Sequence, residues 1–151
     1  MGTPTQVKQA KNIVPASIRL GRIILLVCSI LFFAFTILNC ADFVCRCLGI
    51  SGDWQDPYSA IWTVLLPFIS FYLVFAGIGG ISYARDRGPF IGIASLTAIL
   101  SAILGVVTFM LEIRSLLNSG VLLNLNMFYF VEGVVCFVYF LGWMLAKNWL
   151  D

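Results

Sequence analysis

Apolar residues fall into four long stretches that are almost free of charge, at positions 23–41, 60–84, 89–111 and 127–146, the last interrupted only by Glu132. About 20 residues of helix, at roughly 1.5 Å each, cross a hydrocarbon core about 30 Å thick, so every stretch is long enough to span a bilayer. A transmembrane strand would be about 10 residues long and would alternate in polarity, and no stretch alternates in that way. A helix also closes its own backbone hydrogen bonds, which lipid cannot do for it. The pattern predicts an all-α integral membrane protein, a four-helix transmembrane bundle with short loops, forming one domain over residues 1–151.

The connections support antiparallel neighbours. Arg85-Asp86-Arg87-Gly88-Pro89 reads as a tight turn, with Gly88 suited to a left-handed conformation and Pro89 to the start of the next helix. The connections at 42–59 and 112–126 are too short for a further domain. Asp53-Trp54-Gln55-Asp56-Pro57-Tyr58 reads as an interfacial aromatic belt with a helix cap.

Composition agrees with burial in lipid. Of the 151 residues, 61% are hydrophobic and 11% charged, against about 45 to 50% and about 25% in a soluble domain. A mean hydropathy of +1.01 leaves too little polar surface to face water all round. Disorder is excluded by the 13 Phe, 5 Tyr and 4 Trp. A net charge of +2 offers no extended basic face for phosphates, so nucleic acid is not an expected partner.

Seven of the nine basic residues fall on one side: Lys8, Lys11, Arg19, Arg22, Arg85, Arg87 and Lys147, with Arg46 and Arg114 on the other. Short loops rich in Lys and Arg stay cytoplasmic, so both termini are expected on the cytoplasmic or matrix side. The first span starts too late, and lacks the cleavage site, for a removable signal peptide. Gln6 breaks the myristoylation pattern.

Helices in lipid associate through small residues and interhelical hydrogen bonds. Ala76, Gly80 and Ala84 recur every fourth residue in span two, and Ala94, Ala98 and Ala102 do so in span three, continued by Gly105. These stripes are expected to face each other across the hairpin, and Gly142 and Ala146 repeat the device in span four. Pro67 removes a backbone donor within span two and is expected to bend it.

Glu132 is the candidate functional residue. An acid about 9 Å along the helix from Asn126, at 1.5 Å per residue, is costly in lipid and commonly functional: it can relay a proton, bind a cation or pair with a base. The structural alternative is a carboxyl that keeps its proton, or hydrogen-bonds to Asn124, Thr108 or water. Arg114 could fold back toward it or anchor in the interface.

Cys28 and Cys136 read as packing residues. Cys40, Cys45 and Cys47 cluster where span one leaves the membrane, giving a possible disulfide among them. Three close thiolates also suit a soft metal but underfill a four-ligand site, so no metal is expected. The chain has no His, no nucleophile with a partner base and no paired carboxylates inside a span, which argues against an enzyme and implies no cofactor.

Four spans with cytoplasmic termini, and Arg19 and Arg22 opening span one, resemble MARVEL-type tetraspan proteins in topology. Small-residue stripes, short loops and a nearly uncharged interior favour a non-catalytic accessory subunit or tetraspan-type organiser that packs against other helices. Its expected partners are membrane lipids and either other membrane subunits or copies of itself. The alternative is a small oligomeric transporter or channel with Glu132 as its polar site.

Overall fold

The computed structural model describes residues 14–52, 54–119 and 127–147. They form four helices: α1 (Ala16–Cys47), α2 (Pro57–Arg85), α3 (Ile91–Ser119) and α4 (Met127–Ala146). All four are long and apolar enough to cross a membrane. The fold is an all-helical multi-pass bundle.

The helices pack in a ring. α1 lies against α2 and α4, and α3 closes the ring against α4 and, over less of its length, α2. Each helix turns a narrow seam inward. On α1 the buried positions are Gly21, Leu25, Cys28 with Ser29 beside it, Phe32, Phe35, Asn39 and Arg46; without Ser29, and with half-buried Asp42, they follow alternating steps of four and three. That 3.5-residue period keeps one side of a straight helix in contact with its neighbours only if the bundle supercoils left-handedly. Leu25, Phe32, Leu73, Tyr139 and Trp143 fill the centre, while Ile23, Ile30, Ile37 and Val44 face outward.

α1 is longer than the apolar stretch at 23–41. Asp42 and Arg46 are four apart on the same helix face and form an ion pair, Nε to Oδ2 2.9 Å, so the helix continues through charged positions that hydropathy counts as its end. Its exit is a left-handed Gly49 (φ 73°), with Gly49 N–H bonded to Arg46 O and Ile50 N–H to Cys45 O. α2 is capped by Asp56, whose Oδ2 accepts from Ser59 N–H at 3.3 Å, and Pro57 takes the first helical position. Pro67 lies inside α2 without ending it. In the α2–α3 turn the left-handed cap residue is Asp86 (φ 52°), and Gly88 is left-handed as well (φ 106°).

The small residues are placed at several interfaces. Across the α2–α3 hairpin the close contact is Gly79 against the backbone of Ala94, where a Cβ would stand 3.3 Å from its N. Ala94 and Ala98 are wholly buried, and Ala84 and Ala102 are half-buried. Ala76 and Gly80 turn inward instead: the Ala76 carbonyl accepts from Tyr139 Oη, and a Cβ on Gly80 would meet Ser29 Oγ and Tyr139. Gly105 faces α4, 2.9 Å from Gly133 O by the same measure. The tightest crossing joins α1 and α4, where Gly21 abuts Gly142 and Ala146.

Candidate functional site

The seam on α1 is apolar from Leu25 to Phe35 except for Ser29, whose hydroxyl donates to Leu25 O, and polar from Asn39 to Arg46. Because α4 runs antiparallel, its first buried residues, Tyr129 and Glu132, meet that polar half. Two rungs result. Asn39 Nδ2 donates to both carboxyl oxygens of Glu132, at 3.3 Å to Oε1 and 3.1 Å to Oε2. One helical step nearer the α1–α2 end, Tyr129 Oη donates to Asp42 Oδ2. Each rung joins residues three apart on the same two helices, so they lie about 4.5 Å apart along the bundle.

Beyond the second rung the network opens toward the α1–α2 connection. Arg46, only 9% exposed, pairs with Asp42 and donates from Nη1 to Ser59 Oγ (3.1 Å) and Thr63 Oγ1 (3.3 Å) on α2. Ser51 Oγ donates to the other Asp42 oxygen at 3.2 Å, and Trp54 Nε1 donates to Arg46 O at 3.1 Å. Trp62 stands edge-on to Tyr129 with ring centroids 4.8 Å apart. The guanidinium is therefore matched by a carboxylate and two hydroxyls, the arrangement that makes a buried charge tolerable.

Glu132 is held differently. It is 4% exposed and faces an amide rather than a cation. Asn39 is wholly buried, and its Oδ1 has no donor among the described residues. Toward the other end of the bundle, the Phe32 and Tyr139 rings pack at 5.0 Å between centroids. Each lies seven residues, about two turns or 10.5 Å, from Asn39 and Glu132 respectively. Glu132 thus sits between a hydrogen-bonded ladder and an aromatic floor.

The other sequence candidates lie apart from this site. Thr108 is buried against Gly133 and bonds to its own helix at Leu104 O. Asn124 lies outside the described residues, as do Asp53 and the side chains of Tyr58, Glu112 and Arg114. All five cysteines are free. Cys40, Cys45 and Cys47, among which the sequence allows a disulfide, ride on one helix at separations of five, two and seven.

Sequence reasoning missed Asn39, Asp42 and Tyr129, and the most legible of the three is Asn39. The signal was present, because it is the one amide in span one and continues the spacing Leu25, Cys28, Phe32, Phe35. A groove of about 340 Å³ between α3 and α4 has wholly apolar walls, among them Gly105, Phe109, Phe130 and Phe137, and Glu132 does not line it. Comparison of the chain with family models, curated proteins and solved structures finds no match.

Proposed function

We propose that this protein is a non-catalytic component of a membrane assembly, an accessory or organising four-span subunit whose outer faces pack against lipid and partner helices. One observation carries the reading: the bundle axis is filled. Leu25, Phe32, Leu66, Leu73, Cys136, Tyr139 and Trp143 are at most 1% exposed, which leaves no water-lined route of the kind conduction needs among the described residues. Buried Ser29 and Ser70 bond back to their own helices, and Asn39, Glu132, Asp42 and Tyr129 pair across α1 and α4, rather than lining an open passage.

In the membrane we place the α1–α2 end on the non-cytoplasmic side. Arg19, Arg22, Arg85, Arg87 and Lys147 occupy the opposite end of the bundle, and at this one Arg46 lies buried. Partners are membrane proteins or further copies of the chain, without cofactor or metal.

A second reading, a small oligomeric transporter using Glu132, draws on the burial of that carboxyl against Asn39. Reconstitution separates the two. Purified protein in proteoliposomes is expected to carry no proton or cation flux, and to co-purify from its native membrane with other subunits in fixed ratio. Flux in the wild type that is lost in Glu132→Gln would sink the accessory reading.

A further inference from the structure

The two ends of the Glu132 environment are unlike. Toward the α1–α2 end it is followed by protic groups: Asn39, then Tyr129 and Asp42, then Ser51 and Arg46, with the Asp42 side chain 27% exposed. Toward the other end stands the Phe32–Tyr139 pair, both residues wholly buried, with the Tyr139 hydroxyl committed to the Ala76 carbonyl and 3.3 Å from Thr97 Oγ1. The wholly buried Asn39 carries an Oδ1 with no donor among the described residues. An unpaired acceptor on a residue one helical step from the Asp42–Tyr129 rung is suited to a protic guest, water or hydronium, with the Glu132 carboxylate as the base beside it.

From this geometry we infer that Glu132 is a one-sided protonation site, loaded from the aqueous phase at the α1–α2 end through Asp42 and Tyr129 and closed to the other end by Phe32 and Tyr139. The transfer is a simple exchange. A hydronium at the mouth gives its proton to Asp42; the Tyr129 hydroxyl, no longer donating to a carboxylate, turns its proton inward and passes it, by way of the guest at Asn39, to Glu132, while its oxygen takes the proton from Asp42. In sum, hydronium becomes water, the carboxylate becomes a carboxylic acid, and Asp42 and Tyr129 end as they began. No electrons move.

The titratable groups around the site are Asp42, Arg46 and Cys28 on α1, Tyr129, Cys136 and Tyr139 on α4 and, farther inward, Tyr72 on α2. The described side chains of α3 contribute none. Arg46 is committed to Asp42, Ser59 and Thr63, so Glu132 has no counter-ion among the described residues, and gaining a proton changes the charge on the α1–α4 crossing by one unit. A group loaded from one side and blocked from the other senses pH without conducting. The inference stands whether the chain serves as a subunit or as a transporter, because it concerns access to one carboxyl.

The experiment uses the full chain in proteoliposomes, with infrared difference spectroscopy of the carboxylic-acid C=O stretch while pH is lowered on one face at a time. Reaction of Cys47 with a membrane-impermeant maleimide in a parallel sample identifies the face that carries the α1–α2 end. Acid on that face is expected to raise a band that is absent in Glu132→Gln. Tyr129→Phe should keep its amplitude but slow its rise by about tenfold or more, the loss expected for one proton-transfer group, whereas Cys136→Ala, on the inward side, should leave rate and amplitude unchanged.

If Glu132→Gln does not fold, assignment comes from ¹³C-glutamate in Glu112→Gln, since Glu112 and Glu132 are the two glutamates of the chain. A Glu132 band that rises equally fast with acid on either face, or no Glu132 band under acid on either, overturns the inference. So does a Tyr129→Phe rate equal to the wild type. Absence of cation or proton flux would leave it standing, which separates its failure from that of the functional reading.

Discussion

At the scale of single residues, the Asn39–Glu132 rung and the Asp42–Arg46–Tyr129 cluster differ in what holds them, and their responses to substitution should differ accordingly. Gln at 132 retains the shape and an oxygen that accepts from Asn39 Nδ2, so Glu132→Gln is expected to unfold near the wild-type temperature. Glu132→Leu strands the buried amide of Asn39 and should cost about 1 to 3 kcal/mol, the penalty for a buried donor left unpaired. Thermal unfolding in detergent measures the pair, and equal loss in both variants would mean that the carboxylate charge itself stabilises the fold. Asp42→Ala is the harsher change. It leaves Arg46, whose side chain is 11% exposed, without its anion, and breaking a buried pair from one side costs about 3 to 5 kcal/mol. A loss below about 1 kcal/mol, the range of exposed pairs, would show that Arg46 reaches water.

At the scale of helices, hydropathy was enough to count and place the four elements, because the cost of exposing backbone and polar groups to lipid acts residue by residue and leaves a local trace. It read the ends of α1 short at both sides. Arg19 and Arg22 at one end, and Asp42 and Arg46 at the other, are charged yet helical; the second pair is satisfied on the helix itself, and no count of apolar residues contains that fact. Which helix faces which was also outside the local pattern. Spacing by four marked Ala76 and Gly80 as contact residues, but the same spacing does not say whether the contact is α3 across the hairpin or, as found, α1 and α4. Glu132 stood out because an acid in an apolar run is rare; its partner Asn39 is 93 residues away in sequence, and only the packing of α1 on α4 joins them. The closeness of that packing is testable. A Cβ on Gly21 would lie 2.6 Å from Gly142 O, backbone against backbone with no side chain able to yield, so Gly21→Ala should cost about 1 to 3 kcal/mol, as overpacked cores do. Gly49→Ala, which meets nothing within 4 Å but has a φ of 73°, should be destabilised by backbone strain alone. A Gly21→Ala variant as stable as the wild type would mean that the α1–α4 crossing is looser than described.

At the scale of the whole molecule, the filled axis, the uneven charge of the two ends and the one polar ladder belong to a single arrangement. α1 and α4 run antiparallel and share their most intimate contact at the Gly21 end, while the buried polar residues collect at the other. Lys and Arg resist transfer across a membrane, so the end bearing Arg19, Arg22, Arg85, Arg87 and Lys147 should remain cytoplasmic. Arg46 does not oppose this orientation, because its charge is matched internally by Asp42. Cys47 is exposed at the α1–α2 end and free, which makes it a native reporter. In intact cells a membrane-impermeant maleimide should label Cys47, and should fail to label Arg87→Cys placed in a background where Cys40, Cys45 and Cys47 are Ser, until the membrane is permeabilised. Labelling at position 87 in intact cells would reverse the topology. The site described here would then face the cytoplasm, and the ladder from Asp42 to Glu132 would report on cytoplasmic rather than external pH.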